Sequence, residues 1–152
     1  MTPTASALLH PAGQPDRILD CARRLIAAQS PNPPGDTHAA ASVAADLVRA
    51  LVPNAELTLY RTSETIGNLV AVVRGTGRGS PTSLPTARRL VLSGHLDTYP
   101  LGDASGWTVP PFAGEVRDGK LYGRGAADMK GGIAASIVAL AALAEHPDTW
   151  RG

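Results

Sequence analysis

The 152-residue sequence has a single cysteine, few aromatic residues and no surplus of either charge. One cysteine, Cys21, excludes an intrachain disulfide. Set among apolar residues at helical spacing, it reads as a small buried side chain. Aromatic residues make up 4% of the chain, too few for a platform that stacks single-stranded bases. Lysine and arginine total 14 against 13 aspartates and glutamates, a formal net charge of +1. That balance gives no electrostatic reason to expect nucleic acid or an anionic membrane as partner. The chain does not open on a basic start followed by an apolar run, so no secretory signal is read there. No run approaches the ~18 consecutive apolar residues of a membrane span. These absences fit a reducing cytoplasm.

What is present suits one ordinary globular domain. Apolar residues are 43% of the chain, a usual share for a packed core. Residues 1–15 carry Pro3, Pro11, Gly13 and Pro15 and read as a flexible lead-in to a domain spanning 16–152. Asp16 is placed to cap a helix on which Ile18, Leu19, Ala22, Leu25 and Ile26 recur at helical spacing. Pro31, Pro33 and Pro34 lack the amide donor a helix needs, so the segment 30–35 breaks it. Asp36 or Thr37 caps the next helix, with Val43, Leu47 and Leu51 as its apolar stripe and Pro53 just past its end.

Three strands are predicted next, over 55–60, 68–74 and 88–93. The last holds Leu90-Val91-Leu92, a continuous apolar run of the kind covered on both faces of a sheet. The Gly-, Ser-, Thr- and Pro-rich stretch 75–86 reads as a surface loop. Residues 115–121 read as a hairpin, because Asp118-Gly119 tolerates the positive φ values of a type I′ turn. A helix over 129–145 closes the domain, with Met129, Ile133, Ile137, Leu140 and Ala144 as its predicted buried face. The order of elements predicts an α/β sandwich built on a mixed sheet.

Two clusters carry chemistry. The 88–93 strand runs into Gly94-His95-Leu96-Asp97, and in an extended segment His95 and Asp97 point to the same side. An imidazole so placed can bind a metal through one nitrogen while the carboxylate accepts the other N–H. A loop histidine bonded to a neighbouring aspartate is the plainer alternative. The second cluster is 123–132, in which Asp128 sits among glycines where the last helix begins. Taken alone, Asp128 reads more readily as a helix N-cap. His10, His38 and His146 read as surface residues.

Other chemistries fit less well. Gly75-Thr76-Gly77-Arg78-Gly79 follows a strand, as a phosphate loop would, but no helix opens after it. His146-Pro147-Asp148 reproduces the tripeptide of J-domains, yet the helix before it, 133–145, holds no lysine or arginine.

Ser93-Gly94-His95-Leu96-Asp97-Thr98 resembles the first metal motif of the M20 family of metallopeptidases and amidohydrolases. The stretches 107–114, 118–125 and 127–132 resemble the same family in order and spacing, as does the proline-rich segment 30–37. The resemblance implies an incomplete zinc-exopeptidase-like catalytic domain. Within it His95 would ligate one zinc, Asp97 would orient and polarise His95, and Asp128 would bridge two zinc ions, with cobalt or manganese as substitutes. It also implies a non-proline cis peptide at Asp128-Met129. The activity implied is hydrolysis of an amide bond in a small N-acyl amino acid or peptide. The family's general-base glutamate, its further ligands and its lid domain, which often mediates homodimerisation, fall on no residue of this sequence. The 152 residues are therefore expected to be inactive alone. The alternative is a non-catalytic truncated product, or a domain piece that needs a partner chain.

Overall fold

The computed structural model describes residues 14–77 and 89–152. The lead-in with His10, residue 88 and most of the 75–86 loop lie outside the described residues. Helix α1 spans Gln14–Ala27 and buries Cys21, Ala22, Leu25 and Ile26. Asp16 lies within its first turn, where a carboxylate favours the positive end of the helix dipole, rather than at a cap before it. Helix α2 spans His38–Leu51. Asp36 supplies the N-terminal acceptor, its Oδ1 lying 3.0 Å from the His38 amide. Thr37 turns its hydroxyl elsewhere, donating to Gly67 O at 3.0 Å and accepting from Gly67 N at 2.9 Å. The start of α2 is thereby stitched to the strand that begins at Gly67.

Helix α3 spans Gly131–Glu145 and packs against both α1 and α2. Small residues fill this three-helix centre: Ala22, Ala44, Ala134 and Ala141 are at most 3% exposed. Side chains of that size let helix axes approach closely. Leu25, Leu47 and Val48 supply the volume between them. The buried face of α3 is Ala134, Ile137, Val138 and Ala141, rotated from the expected one; Met129, Ile133, Leu140 and Ala144 are only partly buried. A helix apolar on every side carries no periodic mark of which face turns inward. The stretch Ala126–Glu145 is also long and apolar enough to cross a membrane by length and composition, although glycine and polar residues interrupt its apolar run. Its first residues are not helical, however, and Asp128 and Met129 have extended-like φ values of −131° and −134°.

Strand β1, Glu56–Arg61, pairs antiparallel with β2, Gly67–Val72, in a register that sets Glu56 opposite Val72. Leu57, Leu69 and Ala71 lean on the helical core. Strands β3, Glu115–Arg117, and β4, Lys120–Tyr122, form the expected hairpin. Its turn residues Asp118 and Gly119 have φ of 52° and 71°.

The architecture is a mixture of helices and small antiparallel sheets, and no mixed sheet is found among the described residues. The expected strand at 88–93 is the reason. Residues 89–93 pair with no other strand among the described residues, and Leu90, Val91 and Leu92 are 76%, 77% and 46% exposed. A run apolar on both faces needs neighbours on both edges and layers on both sides. Among the described residues β1 and β2 pair only with each other. The glycines at 75–77 form no phosphate cradle either. The amides of Gly75, Thr76 and Gly77 already donate to the carbonyls of Gly152, Pro147 and Trp150 at 2.8–3.0 Å.

Leu25 is fully buried and Leu90 largely exposed. Leu25→Ala should therefore lower unfolding free energy by about 2–5 kcal/mol, and Leu90→Ala should change it by less than about 0.5 kcal/mol. Urea unfolding of the two variants measures both.

Candidate metal-binding site

The segment bearing His95 is held by the turn after α1. Ser30, with no exposed surface, donates its hydroxyl to Leu96 O at 2.6 Å. The Thr98 amide donates to Ser30 O at 2.8 Å, and the Asn32 amide donates to Thr98 O at 2.8 Å. Pro31 and Thr98 form a parallel bridge between these contacts. Residues 96–98 are thus zipped onto 30–32 although 89–95 has no strand partner. Gly94 permits a close approach on the other side: a Cβ there would stand 3.1 Å from both Ile133 Cγ1 and Met129 Cε.

His95 and Asp97 share one side, as their spacing requires. His95 Nδ1 lies 3.1 Å from Asp97 Oδ1 and 3.0 Å from the Asp97 carbonyl. The remaining Asp97 oxygen, Oδ2, accepts from Asn32 Nδ2 at 3.0 Å. Asn32 was not singled out from the sequence. Its only signal was its place inside the proline-rich segment 30–37. The Asn32 amide, with the imidazole of His95 a lesser cause, holds the Asp97 carboxyl below its ordinary range.

Asp128 approaches from a different element. Its Oδ1 lies 2.9 Å from His95 Nε2, across 33 residues of chain. It is not an N-cap: Lys130 occupies that position of α3, with no side-chain cap bond. The peptide bond between Asp128 and Met129 is cis, as the resemblance implied. The loop before α3 turns at Gly125, whose φ is +82° and where a Cβ would stand 2.5 Å from Thr98 Cγ2. Of the two glycines opening the helix, only Gly131 is confined, with Ala126 O 2.6 Å from where a Cβ would lie; Gly132 has ordinary space. Lys130 is buried, and burial lowers its pKa to about 8.

One imidazole thus presents Nε2 to a carboxylate while its Nδ1 faces a second carboxylate. Such an arrangement orients the ring, fixes its tautomer and makes Nε2 a good metal donor. The Asp128 side chain is 85% exposed and free to engage a ligand. Among the described residues no three His, Cys, Asp or Glu side chains are arranged so that all could hold one metal ion; the chain brings together two donors and an orienting carboxylate. His38 and His146 stand apart, the first opening α2 and the second ending α3.

The hydrogen bond to Asp128 is the main cause that raises the His95 pKa. A partner that favours imidazolium loses that effect when its charge goes, so Asp128→Asn should lower the His95 pKa toward the ordinary histidine value. A pH titration of the imidazole resonances by NMR reads the change. Because a metal must displace the Nε2 proton, affinity for zinc should rise as pH passes upward through that raised pKa.

Comparison with known proteins is consistent with this geometry. The model of peptidase family M20/M25/M40 matches residues 91–151, which include His95, Asp97 and Asp128. A succinyl-diaminopimelate desuccinylase of Rhodospirillum centenum is 61% identical over 54 residues, 36% of this chain and 14% of that protein. One from Xanthomonas campestris pv. campestris is 61% identical over 64 residues, 40% of this chain and 17% of its own length. One from Bradyrhizobium sp. is 52% identical over 64 residues, 41% of this chain and 17% of its own length. The matched stretches therefore span about a sixth or less of those relatives. Through residues 91–151, about two fifths of its length and the segment that carries the site, the chain is similar to peptidase family M20/M25/M40.

Proposed function

We propose that the protein served by this chain is a metal-dependent hydrolase of amide bonds, acting on a small N-acyl amino acid or peptide. The observation that carries the reading is the meeting of His95 Nε2 and Asp128 Oδ1 at 2.9 Å, with Asp97 behind the ring. Imidazole nitrogen and carboxylate oxygen are donors that zinc accepts. The residues present fit part of a zinc centre: His95 would hold one ion, and the two oxygens of Asp128 would be shared with a second. Zinc, when bound, supplies Lewis acidity that polarises the scissile carbonyl and acidifies the attacking water. The work of this chain is positional. Asp97 keeps the His95 ring turned so that Nε2 faces Asp128, and Asn32 keeps Asp97 in place. Desuccinylase relatives make an N-succinyl amino acid the first substrate to try.

Four ligands per zinc are usual, and two donors do not complete a centre. That count favours a second statement: the 152 residues do not turn over substrate without further polypeptide, whether in the same chain or a partner.

The experiment is paired. Zinc content and hydrolysis of N-succinyl and N-acetyl amino acids are measured for this chain and for the product of the complete coding sequence. The complete product should hydrolyse one of these amides, lose the activity to a chelator and regain it with zinc. Asp97→Asn in that product should reduce metal affinity or activity about 10–100-fold. Hydrolysis indifferent to chelation and to Asp128→Asn would overturn the reading. Turnover by the 152 residues alone would overturn the second statement.

A further inference from the structure

Lys130 is 1% exposed, the one charged residue among the buried polar residues described. Among the described residues its ammonium meets no carboxylate. The partner found is a carbonyl, Ala28 O, at 2.6 Å. A buried ammonium with a single carbonyl partner costs stability compared with an apolar side chain of similar shape. Stability alone therefore does not account for a lysine at this place.

Its position does. Asp128 has no hydrogen-bond partner except His95 among the described residues, and its side chain is largely exposed. The surrounding loop alone must aim it. That loop closes on itself, with the Lys130 amide donating to Gly125 O at 2.8 Å and the Gly131 amide to Ala126 O. A self-closed loop needs an external anchor to be fixed relative to anything else. The Lys130 side chain is such an anchor, reaching Ala28 across 102 residues of chain. Its stem runs beneath Gly125, where a Cβ would stand 3.3 Å from Lys130 Cδ. Ala28 lies two residues before Ser30, which holds the His95 segment from the other side.

We propose that Lys130 is a positioning residue: its ammonium, bound to the Ala28 carbonyl, ties the Asp128 loop to the same short segment, 28–32, that holds His95, and so sets the separation of the two donors. The consequence for hydrolysis rests on the function proposed above, while the anchoring itself does not.

The test uses chain labelled with ¹⁵N-histidine, with His95 assigned by its loss in His95→Ala. At one fixed pH, Asp128→Ala displaces the His95 imidazole nitrogen resonances from their wild-type positions. Lys130→Met keeps the stem and removes the ammonium. It should move those resonances at least half as far in the same direction, with helical circular dichroism retained. Leu47→Ala, destabilising but on α2 rather than on the helix that leads into the segment 28–32, should leave them in place. A folded Lys130→Met with wild-type His95 resonances would overturn the proposal. Should Lys130→Met fail to fold, Lys130→Gln carries the same test with the same two outcomes. Displaced resonances, in a protein whose zinc-loaded complete form hydrolyses no amide, would keep the anchoring and remove the hydrolase reading.

Discussion

Two halves of the site come from distant parts of the chain, and both are referred to five residues after the first helix. Ser30 and Asn32 hold the segment 96–98 by two backbone hydrogen bonds and a buried hydroxyl. Ala28 accepts the ammonium of Lys130, next to the loop that carries Asp128. The prolines at 31, 33 and 34 end α1 there and leave its following backbone groups free to pair with these partners. A shift of this turn would move His95 and Asp128 together or apart. The 2.9 Å contact between them depends on this turn as well as on the Asp97 contact that orients the His95 ring.

The helical core serves this turn. Leu25 and Ile26, fully buried near the end of α1, fix where the segment 28–32 begins. Helix α3 packs on α1 and α2 and buries Ala134, Ile137, Val138 and Ala141, which fixes where the Asp128 loop ends. The β1–β2 hairpin is tied to the start of α2 through Thr37 and Gly67, away from the chemistry. The segment 89–93 is different in kind, since Leu90, Val91 and Leu92 are exposed with no sheet beside them among the described residues. The site therefore rests on helices and a zipped loop rather than on the end of a covered strand.

Much of this was legible in the sequence where the signal is local. The Asp118-Gly119 turn requires positive φ at two residues, and only its residue types tolerate that. The prolines mark the end of α1 because a missing amide is a local fact. The grouping of His95, Asp97 and Asp128 was legible through motif resemblance, whereas their spacing alone left a helix cap or a loop histidine open. What failed depended on tertiary context. Leu90-Val91-Leu92 states that a strand could be buried, but not which neighbours cover it. The uniformly apolar α3 does not announce its inward face. The sequence marked no role for Asn32 and left Lys130 as a solvated or structural residue, because their roles are set by partners 65 and 102 residues away.

The central claim is that one imidazole and one carboxylate, separated by 33 residues, serve the same metal centre. Anomalous diffraction at the zinc edge from crystals of the zinc-loaded complete protein tests it most directly. The account predicts a peak about 2.0–2.2 Å from both His95 Nε2 and an Asp128 oxygen. A zinc peak elsewhere, with His95 and Asp128 contacting no common metal centre, would contradict it.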